Sequence, residues 1–577
     1  MPPRALSRRA SLQRLAALGA LGSAGLAALP QSAMAQGYKP TKRGGGGALK
    51  LLFWQGPTLL NPHFATGQKD QEGSRLFYES LAVWNQDGEL LPLLAAEIPS
   101  RTNGGVAADG RSVTWKLKTG VAWHDGKPFT ADDVIFNYRY AIDPQTAATT
   151  ASSYAGIKGV EKVGSHGVRI VFERPTPFWA SAYVTDQIVP QHLFEAFIGA
   201  KSRDAPANLK PVGTGPYVFV DFKPGDLVRG RLNPTYHLPN RPHFDSVEIK
   251  GGGDAVSAAR AVLQTGEFDF AWNLQVEDEL LKRLEASGKG VVSMQSGGAI
   301  EFIQLNYTDP NKEVDGERSH RDTRHPLFSD PAVRQALSLL IDRQNIETFI
   351  YGRTGRATAN IVNDLPRFAS PNTRFEFSPD KAGALLEAAG WKKGADGIRA
   401  KDGRKLKLLF QTSINATRQK TQAIIKQAAA RQGIEIEVKA VQGSVFFSTD
   451  VGNNDTYGKF YADMQMYTNS LGRPDPQSYL RQFISDEIAG KANKWQRDNL
   501  SRWRSAEFDA LWQQSNAELD PAKRAAQLIR MNDLLVSDGY TIPIVARREV
   551  TARAKNLVAP ISGWRLSLDQ VHDWHRA

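Results

Sequence analysis

Residues 111–143, RSVTWKLKTGVAWHDGKPFTADDVIFNYRYAID, constrain the fold more than any other part of the chain. Val113, Trp115 and Leu117 alternate with Thr114, Lys116 and Lys118, the pattern of a half-buried strand. Gly120 marks a turn, residues 121–128 form a compact segment, and Thr130 with Asp133 three positions on has the spacing of a capping box. The helix it opens carries Val134, Ile135 and Tyr138 as an apolar stripe. Strand, turn and capped helix follow one another directly.

The same alternation continues along the chain and indicates α/β lobes. Residues 48–54 read as a buried strand, 67–72 as a polar loop, 75–81 as a short helix and 166–172 as a strand, while 175–179 read as a turn that starts a helix. Residues 244–249 are a strand and 255–263 an amphipathic helix. A second region begins near residue 300, with a strand at 302–306 and a polar insertion at 308–326. Asp330-Pro331 then opens a helix with proline in its first turn, its apolar face is Val333, Ala336, Leu337, Leu340 and Ile341, and Asp342-Arg343 closes it. Ser378 caps another helix. Strand 405–410, helix 416–430 and strand 434–438 form a parallel crossover. A helix at 520–535 and a strand at 540–545 complete the pattern, the strand returning the chain to the first lobe.

The first 35 residues read as a processing segment. Arg8-Arg9 within SRRASL is a twin-arginine pattern, residues 15–29 are a short Ala/Gly/Leu run, and Ala33-Met34-Ala35 offers small residues to a peptidase. The run is shorter than the roughly 20 apolar residues of a spanning helix. A Tat-type export signal at 1–35 is expected, followed by a flexible glycine-rich linker at 36–47. The chain has no cysteine, so it has neither a lipid-acceptor thiol nor a disulfide framework, and a soluble, monomeric periplasmic protein follows. Stability then rests on hydrophobic cores, and roughly 540 residues exceed what one core holds. Four of the excess cations lie in the signal; the rest of the +12 charge is spread without runs, which argues against nucleic-acid binding.

Catalytic wording is missing. There is no GxSxG, HExxH or CxxC, and GTG at 213–215 has neither phosphate-loop spacing. His124-Asp125 reads as a structural turn, His320, His325, His572 and His575 as ordinary surface or satisfied histidines, and no cofactor or metal is expected.

In full, residues 111–143 resemble a signature of the extracytoplasmic solute-binding proteins, family 5, the dipeptide, oligopeptide and nickel type that serves ABC importers. Further segments follow in the order of that family: LLPLLA at 90–95, GTGPY at 213–217, NPTY at 233–236, GEFD at 266–269, the helix at 330–343 and SPDKA at 378–382. The resemblance implies an α/β, two-lobed periplasmic binding protein fold of the large peptide-binding class (type II), with a hinge and a central ligand cleft. Lobe I would span 48–303 and 541–577, and lobe II 304–540. It implies no enzyme but a carrier that takes up a peptide or peptide-like solute and hands it to an inner-membrane permease complex. By position, Lys69, Asp70, Gln71, Glu72, Arg418, Tyr467, Thr468, Asn469 and Ser470 are the ligand-binding candidates. Relatives place an ammonium-binding aspartate in the 463–476 segment, where this chain has Asn469, Ser470, Leu471 and Gly472. That departure leaves open an opine-like conjugate, an oligosaccharide or a nickel complex as the ligand, and a periplasmic enzyme or chaperone-like protein as a reading of another class.

Overall fold

The computed structural model describes residues 42–577 apart from 66, 181, 185, 449 and 450; the expected export signal lies outside the described residues. Its centre is a pair of antiparallel strands, Gly290–Leu305 and Thr541–Ala554, in register from Gly290 opposite Ala554 to Gln304 opposite Thr541. The β-branched and apolar runs GVVSM and TIPIVA suit strands buried on both faces. Between Ser296 and Ala299 the register shifts. Gly297 and Gly298 form that break for steric reasons: a Cβ on Gly297 would meet the Gly563 carbonyl at 1.9 Å, and Gly298 has φ +69°.

The break divides an eleven-stranded sheet into two differently built halves. Before it, Phe270–Ala271, Ala48–Phe53, Ser246–Gly251, Leu227–Leu232 and Tyr217–Lys223 follow in order from Thr541–Ala554. Beyond it, Met464–Ser470, Lys407–Ser413 and Glu435–Val441 follow in order from Gly290–Leu305. The last two strands are parallel and joined by the helix Ala416–Arg431, the crossover expected from the sequence. The hydrophobic interior divides in the same way. One core draws on residues from Leu49 to Trp272 and from Leu557 to Trp574, and a second on residues from Ile300 to Val545 together with Trp564. A smaller third core packs Ala255–Leu263 and Asp278–Glu285 against Val550 and Ala552.

Residues 111–143 fold into the strand, turn and capped helix read from the sequence, but the helix buries Val134, Phe136, Asn137, Tyr140 and Ala141, leaving Ile135 and Tyr138 of the expected stripe half-buried. Ser112–Lys116 joins a three-stranded sheet with Gly167–Phe172 and Ile157–Lys162. Thr130 caps the helix Ala131–Ile142, its hydroxyl accepting the Asp132 N–H while the Asp133 carboxylate accepts the Thr130 N–H at 2.9 Å.

Four local expectations fail, each for a visible reason. Residues 67–72 are not a loop: the helix is Gln68–Arg75, and 76–81 lies beyond its end, because the carboxylates of Asp70 and Glu72 find backbone partners that fix this turn. Residues 175–179 start no helix; Pro175 and Pro177 leave only a turn. Asp342 does not end a helix but caps the next one, Arg343–Ile346, by accepting the Asn345 N–H. The glycine run is not a free linker at its end, since Asp245 accepts N–H groups from Gly45 and Gly47, and Gly44 and Gly46 donate to the carbonyls of Pro242 and His243.

Glu79 explains why several separate motifs recur together. Its carboxylate, buried in the first core, accepts from Thr214 Oγ1 at 2.8 Å and Tyr236 Oη at 2.7 Å, with His237 Nε2 at 3.0 Å. The glycines flanking Thr214 are required by the Phe77 carbonyl, which a Cβ on Gly213 would meet at 1.8 Å. His124 braces the same segment, with the Gly213 N–H donating to Nδ1 and Nε2 donating to the Gly215 carbonyl. Burial alone would push the Glu79 carboxyl up, but the charge of His237 and the hydrogen bonds from His237, Tyr236 and Thr214 outweigh it and hold it well below its ordinary value. Its contribution is therefore fully present above the unfolded value of 4.5 and is lost as pH falls through the folded one. Glu79→Gln should cost about 3 kcal/mol at neutral pH and flatten the acid limb of a urea-measured stability profile.

Candidate functional site

Beyond the Gly297–Gly298 break, the long strands carry Glu301 and Arg547 toward the end of Met464–Ser470. Glu301 is 1% exposed. Its Oε1 accepts from Arg418 Nε at 2.7 Å and its Oε2 from Thr468 Oγ1 at 2.5 Å, while Arg418 also donates to Ser413 Oγ at 2.8 Å and to Thr468 Oγ1 at 2.8 Å. Arg547 donates to Thr468 at 2.7 Å and lies 3.8 Å from Glu301. Asn415 caps the crossover helix by accepting the Arg418 N–H, which points Arg418 inward. Burial opposes the charged guanidinium of Arg418, yet Glu301 holds its pKa above the ordinary value.

The strand end also forms one wall of a cavity of about 410 Å³. Tyr457, Tyr467, Trp495, Asn469, Ser470 and Asp498 line it. Tyr467 spends its hydroxyl on Gln304 at 3.1 Å, so it offers the cavity a ring; Asn469 donates to Gln482 at 3.0 Å, and Ser470 donates to the Gly297 carbonyl at 3.2 Å. The Asp498 carboxylate is open to the cavity and has no hydrogen bond or ion pair among the described residues. Burial by the surrounding walls raises its carboxyl, against the charges of Arg481 and Arg497. Both of these arginines are bound to Glu487. A second cavity, of about 470 Å³, shares Ser478 and Asp498 with the first and is closed on its other side by residues 152–178.

The helix carrying residues 69–72 forms a brace between chain segments. Lys69 Nζ reaches Thr58 Oγ1 at 2.7 Å and Asp70 at 2.8 Å; Asp70 accepts the N–H groups of Thr58 and Leu59; Glu72 accepts those of Ser567 and Leu568 at 2.7 and 2.9 Å. Gln71 accepts at its carbonyl from Gln187 Nε2. Asp70, Glu72 and Arg418, expected at the ligand, are buried here, and their side chains are engaged within the chain itself. Gln71, Asn469 and Ser470 keep partly exposed side chains. Sequence reading missed Glu301, Arg547 and Asp498. A lone acid in the apolar run AIEFIQL was the available signal for Glu301; nothing local distinguishes Asp498.

The histidines have protein partners: His325 meets Asp463 at 2.9 Å, and His572 lies 3.5 Å from Asp573. Among the described residues no group of three or more His, Asp or Glu side chains is arranged to hold a metal, and no helix is long and apolar enough to cross a membrane.

Two cores joined through paired strands, with polar cavities beside the crossing, define an α/β two-lobed binding-protein fold. The profile of bacterial extracellular solute-binding proteins, family 5, matches residues 89–491, and the chain belongs to that family. It is 28% identical over 407 residues to the oligopeptide-binding protein AppA of Bacillus subtilis, covering 69% of this chain and 70% of the relative. It is 24% identical over 501 residues to the glutathione-binding protein GsiB of Escherichia coli K12, covering 87% and 89%. Among solved structures it resembles AppA in complex with a nonapeptide, with a TM-score of 0.74, 24% identity and coverage of 93% and 100%. NikZ of Campylobacter jejuni in complex with Ni(L-His) gives 0.75, 21%, 92% and 99%.

Glu301→Ala leaves Arg418 buried without its carboxylate and should cost about 3–5 kcal/mol. Glu301→Met with Arg418→Met should recover most of that loss in equilibrium denaturation.

Proposed function

We propose that this chain is the exported, monomeric solute-binding component of an ABC importer, which captures peptides or peptide-like solutes between two lobes and delivers them to an inner-membrane permease without chemistry of its own. Lobe I comprises residues 48–303 and 541–577 and lobe II residues 304–540, with the two long strands as the hinge. Export by a Tat-type signal at residues 1–35 belongs to the same reading. Family membership supports the carrier role, and AppA and GsiB, whose names specify an oligopeptide and glutathione, support a peptide-like solute.

The observation that carries the peptide reading is Asp498. An unpaired carboxylate open to a cavity lined by Tyr457 and Tyr467 offers a cation a counter-charge and aromatic surface, while the Trp495 ring in the same wall already carries the Lys459 ammonium at 4.7 Å. Asp498 lines the same cavity as Asn469 and Ser470, where the family aspartate is missing, and supplies an ammonium acceptor from a different segment. Asn469 and Ser470 line the same cavity and offer amide and hydroxyl groups to a peptide backbone; Gln71 remains a further candidate contact. Lys69, held by Thr58 and Asp70, is a further candidate contact.

Titration calorimetry against free-amine peptides, their N-acetylated forms, opines, oligosaccharides and nickel–histidine tests this reading. Free-amine peptides should bind, and Asp498→Asn should weaken them at least tenfold while leaving N-acetylated forms unchanged. Silence from every peptide with a response from another class would reassign the solute.

A further inference from the structure

Asp186 and Arg565 lie 3.9 Å apart with Arg473 within their electrostatic reach, and the three charges do not balance. Arg473 follows the strand Met464–Ser470 of the second half; Asp186 and Arg565 belong to segments that feed the first core. Asp186 is 2% exposed, its nearest cation is Arg565 at 3.9 Å, beyond hydrogen-bond reach, and its Oδ1 receives only Ser153 Oγ at 3.4 Å. Among the described residues Asp186 Oδ2 and Arg565 Nε have no hydrogen-bond partner. Arg473 makes no hydrogen bond or ion pair with them either, although it lines the 470 Å³ cavity beside Ser153, Ser478 and Arg481.

Neighbouring acids do not make up the deficit. Asp475 is held by both terminal nitrogens of Arg524, at 2.5 and 2.9 Å, and Asp569 by Arg75 at 2.8 Å. Burial and the nearby Asp569 push the Glu72 carboxyl up to about 8, against the N–H groups of Ser567 and Leu568, so it adds little negative charge at neutral pH. Burial likewise lowers His63, which stays neutral. Two guanidiniums, each lowered by desolvation and each within the field of the other lobe's charges, are left with one carboxylate. Bringing the lobes together thus crowds like charges in a low-dielectric space, where repulsion is poorly screened.

We infer that Arg473 and Arg565 form an anion subsite that receives a carboxylate of the bound solute from both lobes at once. One added negative charge neutralises the cluster and fills the unused guanidinium donors, for which a planar carboxylate is the matching acceptor. The assignment rests on the solute-binding reading above and narrows it: the solute carries a free carboxylate, and lobe closure depends on it.

The test uses the full-length exported protein in thermal-shift and calorimetric titrations with three probes: a tripeptide library as free acids, the same library amidated at the C-terminus, and succinate, which has no peptide bond. Free acids should bind wild type at least tenfold more tightly than amides, and Arg473→Gln should abolish that difference while ligand-free melting changes little; Arg565→Gln should abolish it as well but also lower the ligand-free melting temperature, because Asp186 then loses its nearest cation. In small-angle scattering, ligand-free Arg473→Gln should be more compact than ligand-free wild type. Equal binding of acids and amides to wild type would overturn the subsite and leave the peptide reading standing. Succinate binding that Arg473→Gln abolishes, with neither library bound, would support the subsite and overturn the peptide reading. No response to any probe, with scattering unchanged by the substitution, overturns the subsite.

Discussion

Everything in this molecule hangs on two strands that stay paired while their surroundings change. Gly290–Leu305 and Thr541–Ala554 share one hydrogen-bond ladder, yet one end is sheathed by the first and third cores and the other by the second. A ladder cannot follow two differently oriented packings without a fault, and the fault falls where side chains are absent, at Gly297–Gly298. Placing the irregularity there brings three chain passages to one point: the two strands and Gly563. The polar groups with spare bonding capacity lie around that point, as expected where backbone and side-chain regularity end together.

Charge inside the protein is arranged in two distinct manners. Glu79 and the Glu301–Arg418–Thr468 group are saturated: each oxygen has donors, and removing one member strands the others. Such groups lock segments distant in sequence into one arrangement. Asp498, Arg473 and Arg565 are incompletely served, and they face cavities or the junction between lobes. The contrast separates scaffold from recognition more sharply than burial does, because Glu301 and Asp186 are almost equally buried.

Much of the scaffold was legible in the sequence because it follows from local rules. The capping box at Thr130, the proline-opened helix after Asp330 and the parallel crossover around 416–431 depend on spacing within a few turns. Ordered family motifs carried the fold the rest of the way, and Glu79 supplies the physical reason that GTGPY and NPTY occur together. The candidate site was far less legible. Its open groups, Asp498 among them, and the saturated cluster of residues 301, 418, 468 and 547 behind it are assembled from distant segments, and whether a carboxylate is spent on a backbone N–H or left to a cavity is decided by contacts hundreds of residues apart. Asp70 and Glu72, read as loop residues, sit in a helix and are used up by residues 58, 59, 567 and 568; Asp498, in an unremarked polar stretch, is not.

The placement of Trp564 has a mechanical consequence. Its ring is buried in the second core, its indole N–H donates to the Gln86 carbonyl of the first half at 3.2 Å, and four residues later Leu568 belongs to the first core. The chain is therefore pinned on both sides of the crossing by a strap with little slack. A small rotation can be absorbed in the few residues after Trp564, whereas a wide one must draw an indole out of the core, at a cost of several kcal/mol. Opening is thus a motion with a built-in stop, and the angle at which it halts is written in the length of that strap.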